Sequence, residues 1–230
     1  GAEPSPTEME QGGAAAVAED VAPALRTIVD LTRIEPQALV PIELSPRPTE
    51  PVRVRVALLL IEPRGSFRPP AGPCQDVLLL VRDGELRAVG SGIAPPEAPS
   101  TLYAGDAIRF GPEGDGLVQN LGDQQASTVV AFVRPEDAGE PSIMSPGAQS
   151  CPTDPSTDPF VGGIRSGSIR TTPVNEVLGG KLRVRILLDE PSVGATYGGL
   201  SVLDGDPDLV VAQHRHPDAD EVLFIEEGSG

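Results

Sequence analysis

The stretch QDVLLLVRDGELRAVG (residues 75–90) reads as a strand, a turn at Asp83-Gly84 and a returning strand. Asp-Gly tolerates the positive φ that a two-residue turn requires, so a hairpin is expected there. To its N-terminal side, VRVRVALLLIE (52–62) alternates and then becomes wholly apolar, as a strand does on passing from a sheet edge into a core. To its C-terminal side, TLYAGDAIRFGPEG (101–114) and ASTVVAFVRP (126–135) continue the series. Short strands at even intervals, separated by Gly and Pro, predict an all-β sandwich or barrel.

Composition agrees with that class. Gly and Pro each number 26 of 230 residues, too many for a helical bundle. Helical spacing is confined to about residues 21–34, through Leu25, Ile28, Val29 and Thr32. The 34 acidic and 17 basic residues leave a formal charge of −17. Phosphate binding needs clustered Lys and Arg, so a nucleic-acid partner is excluded, and an anionic membrane surface is disfavoured for the same reason. Aromatic residues are 3% with no Trp, which leaves no stacking platform expected for bases or sugars. No apolar run is long enough for a transmembrane helix. Lys181 is the single lysine. That bias fits a GC-rich genome as well as an extracytoplasmic or high-salt setting in which negative charge aids solubility.

The chain opens on Gly1 rather than Met, and residues 1–20 are small, polar and rich in Pro and Gly. They read as a tether of the kind that follows an export signal or lipid-anchor site, or as an ordinary frayed terminus. Extracytoplasmic placement (periplasmic, lipid-anchored or secreted) is the expectation on this reading. Cys74 and Cys151, the only cysteines, have neither CxxC nor metal-ligand spacing. In an exported protein they could join, and a loop that long would stabilise the fold by roughly 4 kcal/mol in the chain-entropy model. Two inert thiols are the alternative.

Organisation along the chain follows from an internal match. KLRVRILLDEP (181–191) repeats the basic alternation, apolar run, acid and Pro of VRVRVALLLIEP (52–63). DEVLFIEEGSG (220–230) matches QDVLLLVRDGE (75–85) when Gly228 is set against Gly84. Two matches in the same order indicate a duplication. The expected units are a tether and lead-in at 1–50, a barrel at 51–135, a Pro/Gly-rich connection at 136–180, and the first half of a second barrel at 181–230.

Both histidines of the chain fall in HRHPDADEVLFIEEG (214–228). On a strand, His214 and His216 would share a face, because side chains alternate with period two. Beyond the turn at 217–220, Glu221, Leu223 and Ile225 share one face, and Val222 and Phe224 the other. If Leu223 and Ile225 point inward, Glu221 joins the imidazoles. Two neutral imidazoles and a carboxylate suit a divalent transition metal, whether Mn, Fe, Zn, Ni or Cu.

The pattern His-x-His, four residues, Glu, six residues, Gly resembles the first conserved motif of the cupins, double-stranded β-helix (jelly-roll) barrels, and the duplication makes the whole resemble a bicupin. The resemblance implies that His214, His216 and Glu221 bind metal, with a further histidine from a second motif completing the site. The leading glycine of that motif is replaced here by Asp208. In the first repeat, Pro70, Gly72 and Val77 stand at the three ligand positions. Its second-motif region, Gly105-Asp106, Phe110 to Gly114 and Asn120, keeps the turn pattern, with about Leu117 at the histidine position. The first barrel is therefore expected to be structural, or to bind without metal. The second stops at Gly230, before any second-motif histidine. Either the sequence is part of a longer chain, or a second chain (a homo-oligomer or partner) completes the barrel, since open strand edges are avoided.

Asp204, Asp206 and Asp208 alternate like a calcium loop but lack its glycine, and Arg215 stands at the position of its glutamate, so a solvated turn is expected. No histidine remains for a nucleophilic triad. The resulting expectation is a metalloprotein acting on a small carboxylate or oxygenated organic molecule. A non-enzymatic module that assembles with a partner is the second reading.

Overall fold

The computed structural model describes residues 38–42, 53–70, 74–90, 101–112, 116–134, 164–189, 197–212 and 221–228. The segment expected to be helical, 21–34, lies outside them.

Eight strands between residues 54 and 133 build the barrel: β2 (Val54–Ile61), β3 (Ser66–Phe67), β4 (Asp76–Asp83), β5 (Glu85–Val89), β6 (Thr101–Tyr103), β7 (Asp106–Phe110), β8 (Leu117–Asn120) and β9 (Ala126–Val133). They divide into two antiparallel sheets, ordered β2-β9-β4-β7 and β3-β8-β5-β6. That pair of interleaved orders is a jelly roll, the architecture of the cupins. Two strands from outside the stretch extend the larger sheet to six. β1 (Leu39–Pro41) pairs with β2, and β10 (Ile164–Ser168) pairs with β7. Pro41 lacks an amide proton, and the edge position of β1 accommodates it. β10 lies within the stretch read from sequence as a connection, as does β11 (Asn175–Val177).

The Asp83-Gly84 turn is not a hairpin. β4 pairs with β7 and β9, whereas β5 pairs with β6 and β8, so the chain changes sheets at Gly84. Gly84 has φ +97, and a Cβ there would stand 2.7 Å from the Ala126 Cβ. A glycine is needed at this corner both for its backbone and for the close approach. The same sheet change occurs between β6 and β7, at Gly105 with φ +83.

The apolar runs that ended the alternation have a direct cause. On β2, Ala57, Leu59 and Ile61 enter the barrel core with Val77, Leu79, Leu86, Ile108, Phe110, Val118, Val130 and Phe132. The intervening Val56, Leu58 and Leu60 are buried too, in a cluster on the outer face that Val40, Ile42 and Val222 help to cover. Further along that face, Leu78, Ala107 and Val133 pack against Leu187, Leu188, Tyr197, Leu200 and Val202. A sheet covered on both sides needs apolar residues at successive positions.

Those covering residues belong largely to β12 (Leu182–Leu188) and β13 (Leu200–Gly205), which form a second sheet ordered β11-β12-β13, with a 3-10 turn at Leu178–Gly180. β12 comes so close to β10 that a Cβ on Gly167 would lie 2.0 Å from the Leu187 carbonyl oxygen. Residues 221–228 carry no strand ladder, unlike their sequence counterpart β4. A strand exists only where a neighbour supplies the hydrogen bonds.

Candidate metal site

Among the described residues, the interior of the barrel at 54–133 gathers no set of metal donors. Val77, at the position matching Glu221, is fully buried among aliphatic side chains. Asn120 is buried, but its amide serves the backbone: Nδ2 donates to the carbonyls of Ile61 (3.0 Å) and Gln124 (2.7 Å), and Oδ1 accepts from the Gly122 amide at 2.9 Å. It clamps the loop between β8 and β9 to the end of β2. Thr128 donates to the Leu59 carbonyl at 3.2 Å. Asn120 and Thr128 are thus held by the main chain, as burial demands.

Of the three sequence-predicted ligands, His214 and His216 lie outside the described residues, and Glu221 is exposed. No group of three or more His, Cys, Asp or Glu side chains gathers among the described residues. Beyond Glu221 the chain forms no strand, and the inward orientation considered for Leu223 and Ile225 is not the one adopted. Val222 packs on the outer face of the barrel, and Phe224 lies beneath the Arg82 guanidinium, 5.5 Å from the ring centroid. Leu223 and Ile225 point away, 65% and 55% exposed. Arg82 Nε also donates to Glu226 Oε1 at 2.6 Å, fixing the segment against β4. Gly228 has φ +87, close to the +97 of Gly84, the residue it aligns with in sequence.

In the acidic turn at 204–208, two of the three carboxylates are engaged by one arginine. Arg183 donates to Asp204 Oδ2 and Asp206 Oδ1, each at 3.0 Å. The hydrogen bond from Arg183 holds the Asp204 carboxyl below its usual range, and the two aspartates raise the Arg183 guanidinium above its own. A calcium loop would leave those oxygens to the cation, so the solvated turn is the better description.

Two charged groups escape sequence inspection. Arg109 on β7 contacts Asp76 on β4 through Nε (2.9 Å) and Nη2 (2.7 Å), with both side chains fully buried, and the Tyr197 amide donates to the other Asp76 oxygen at 3.2 Å. This pair lies on the outer face of the barrel, beneath the second sheet. Asp106 at the start of β7 is 1% exposed and accepts from the Tyr103 amide at 2.8 Å and from Arg170. Their sequence signal was a charge set inside an apolar run, QDVLLL and DAIRF. Cys74 is fully buried and disulfide-bonded. The chain has one other cysteine, Cys151, which lies outside the described residues.

No family model matches the sequence, and no curated protein matches it. Solved structures do. The chain is similar to a glyoxylate-induced protein from Pseudomonas aeruginosa (13% identity over 62% of this chain and 46% of that one, TM-score 0.44). It is similar to a Cupin 2 conserved barrel domain protein from Salinispora arenicola (19% identity, 49% of this chain and 89% of that one, TM-score 0.39). A third is an oxalate oxidase in complex with glycolate (21% identity, 36% of this chain and 42% of that one, TM-score 0.31). The chain thus spans about half the length of the first of these. The cupin-type fold itself is read from the strand order of the barrel.

Proposed function

We propose that this protein is a bicupin-like metalloprotein whose metal chemistry belongs to the second repeat. The observation that carries the reading is the motif at 214–228, whose Gly228 aligns in sequence with Gly84 and shares its positive φ. The barrel interior is aliphatic where the second repeat offers imidazole and carboxylate, so duplication followed by loss of ligands from the first copy accounts for both. His214, His216 and Glu221 would hold a divalent transition metal, a donor set such a cation accepts. When bound, the metal supplies Lewis-acid or oxygen chemistry toward a small carboxylate or oxygenated organic substrate. The buried disulfide at Cys74 supports extracytoplasmic placement.

A second reading is a non-enzymatic module completed by another chain. Specific exposures favour it. On the face of the second sheet shared by Val177, Ile186 and Leu203, all three are solvent-exposed, as are Leu223 and Ile225. Exposed apolar faces of this kind mark surfaces that another polypeptide covers.

The test is elemental analysis of the purified protein beside His214→Ala and Glu221→Gln variants. Near-stoichiometric metal in the parent, lost from His214→Ala and reduced in Glu221→Gln, supports the first reading. No metal in any of the three overturns it. A metal-bearing protein inert toward oxalate-like acids and dioxygen-dependent turnover favours the second.

A further inference from the structure

The barrel wall contributed by β10 changes character along its length. Cross-strand pairing places Ile164 opposite Phe110, Ser166 opposite Ile108 and Ser168 opposite Asp106, so all six side chains face the barrel interior. Ile164 joins the core, but the next two inward positions are serines. Beside these serines a cleft of about 290 Å3 opens between the edge of the larger sheet and β6, with a mostly apolar surface to which Leu102, Asp106, Ser166, Ser168, Arg170 and Thr171 contribute. That volume is at the low end of the range for small-molecule sites.

The cleft is built rather than left over. Gly167 lets β12 press against the back of β10 and hold that wall. Ser168 shapes the turn that follows: its Oγ accepts from the Arg170 amide at 3.1 Å, and its carbonyl accepts from the amides of Thr171 (3.2 Å) and Thr172 (2.9 Å). The turn brings Arg170 back over the Tyr103 ring, 5.2 Å from the centroid, and onto Asp106 Oδ2. The other carboxylate oxygen, Oδ1, is sealed from solvent and accepts no hydrogen bond among the described residues. A buried carboxylate oxygen left without a donor is costly, which makes it a vacancy for a ligand hydroxyl. Arg170, 49% exposed, lines the cleft beside Asp106.

We propose that this cleft binds a small neutral polyhydroxylated molecule, no larger than a monosaccharide. Asp106 and Arg170 cancel one another, so an ionic ligand would bring in a charge with no counterpart. A polyol supplies a hydroxyl donor to Asp106 Oδ1 and acceptors to the remaining guanidinium protons, while the hydroxyls of Ser166, Ser168 and Thr171 serve in either sense. The site uses none of the residues of the motif at 214–228, so it stands or falls independently of the metal.

Saturation-transfer NMR and titration with glycerol, erythritol and glucose test the proposal on the full chain, with lactate and glycine as charged comparators. Saturable binding of at least one neutral probe is expected, weaker by roughly three- to ten-fold in Ser166→Ala and in Asp106→Asn, the loss one hydrogen bond accounts for. Thr171→Val, at an exposed position, is the variant that keeps the test valid if Asp106→Asn unfolds, and it should weaken binding in the same direction. No saturation of any neutral probe, binding unchanged in Ser166→Ala and Thr171→Val, or preference for lactate or glycine would overturn it.

Discussion

Asp76 and Arg109 show what a charged residue inside an apolar run can be for. Each is fully buried, and the guanidinium fork meets the carboxylate with two nitrogens. Removing one partner leaves a buried charge without the opposite charge it faces, whereas removing both removes the obligation. Asp76→Ala should therefore lower unfolding stability by about 3–5 kcal/mol. An Asp76→Leu/Arg109→Met double variant should recover most of that loss. Chemical denaturation of the three proteins, compared at equal m-value, checks it, and a double variant no better than the single would refute the account. Neither residue was legible as an interior pair. In QDVLLL and DAIRF the charge sits at the start or next to the end of a run, where a strand leaving the core normally carries one. Only the sheet lying over the outer face turns those positions into interior.

At the scale of elements, β2, β4, β7 and β9 were all readable from their own residues, because apolar β-branched runs bounded by Gly and Pro are strand signals. Their pairing was not. Asp83-Gly84 is a strong hairpin signature, yet β4 and β5 belong to different sheets, and every ladder partner of either strand lies outside that turn. A local signal records the backbone angles a turn needs, and a corner needs them as much as a hairpin does. Short strands such as β3 and β8 were missed because two to four residues carry too little periodicity. The corner makes a prediction of its own. Gly84→Ala puts a Cβ into Ala126 and forces φ +97 on a residue that resists it, at a cost of about 1–3 kcal/mol. Gly84→Ala/Ala126→Gly should return only the part due to the clash, which thermal unfolding of both variants resolves.

For the whole molecule, the spacing of the motif at 214–228 is the basis of the proposed metal chemistry, whereas the closing of a barrel is not a local property and was not legible there. The larger sheet does not stand alone: β1, β10 and the second sheet cover it or extend it. The disulfide at Cys74 adds a covalent constraint next to the start of β4, close to Asp76. Cys74→Ser should cost about 2–5 kcal/mol, seen as a lower denaturation midpoint that the parent reaches only under reductant. Equal midpoints for the parent with and without reductant would remove the bridge from the account of stability.

The order of the larger sheet also dictates when it can form. β9 is the central strand, paired along its length with both β2 and β4, yet it is the last of the eight to leave the ribosome. Until residue 133 has emerged, β2 and β4 have no strand to share between them. Closure must therefore wait for contacts that span most of the barrel sequence, which makes folding slow and leaves apolar strand edges bare during synthesis. β9, the final strand of the eight, is the latch of the sheet.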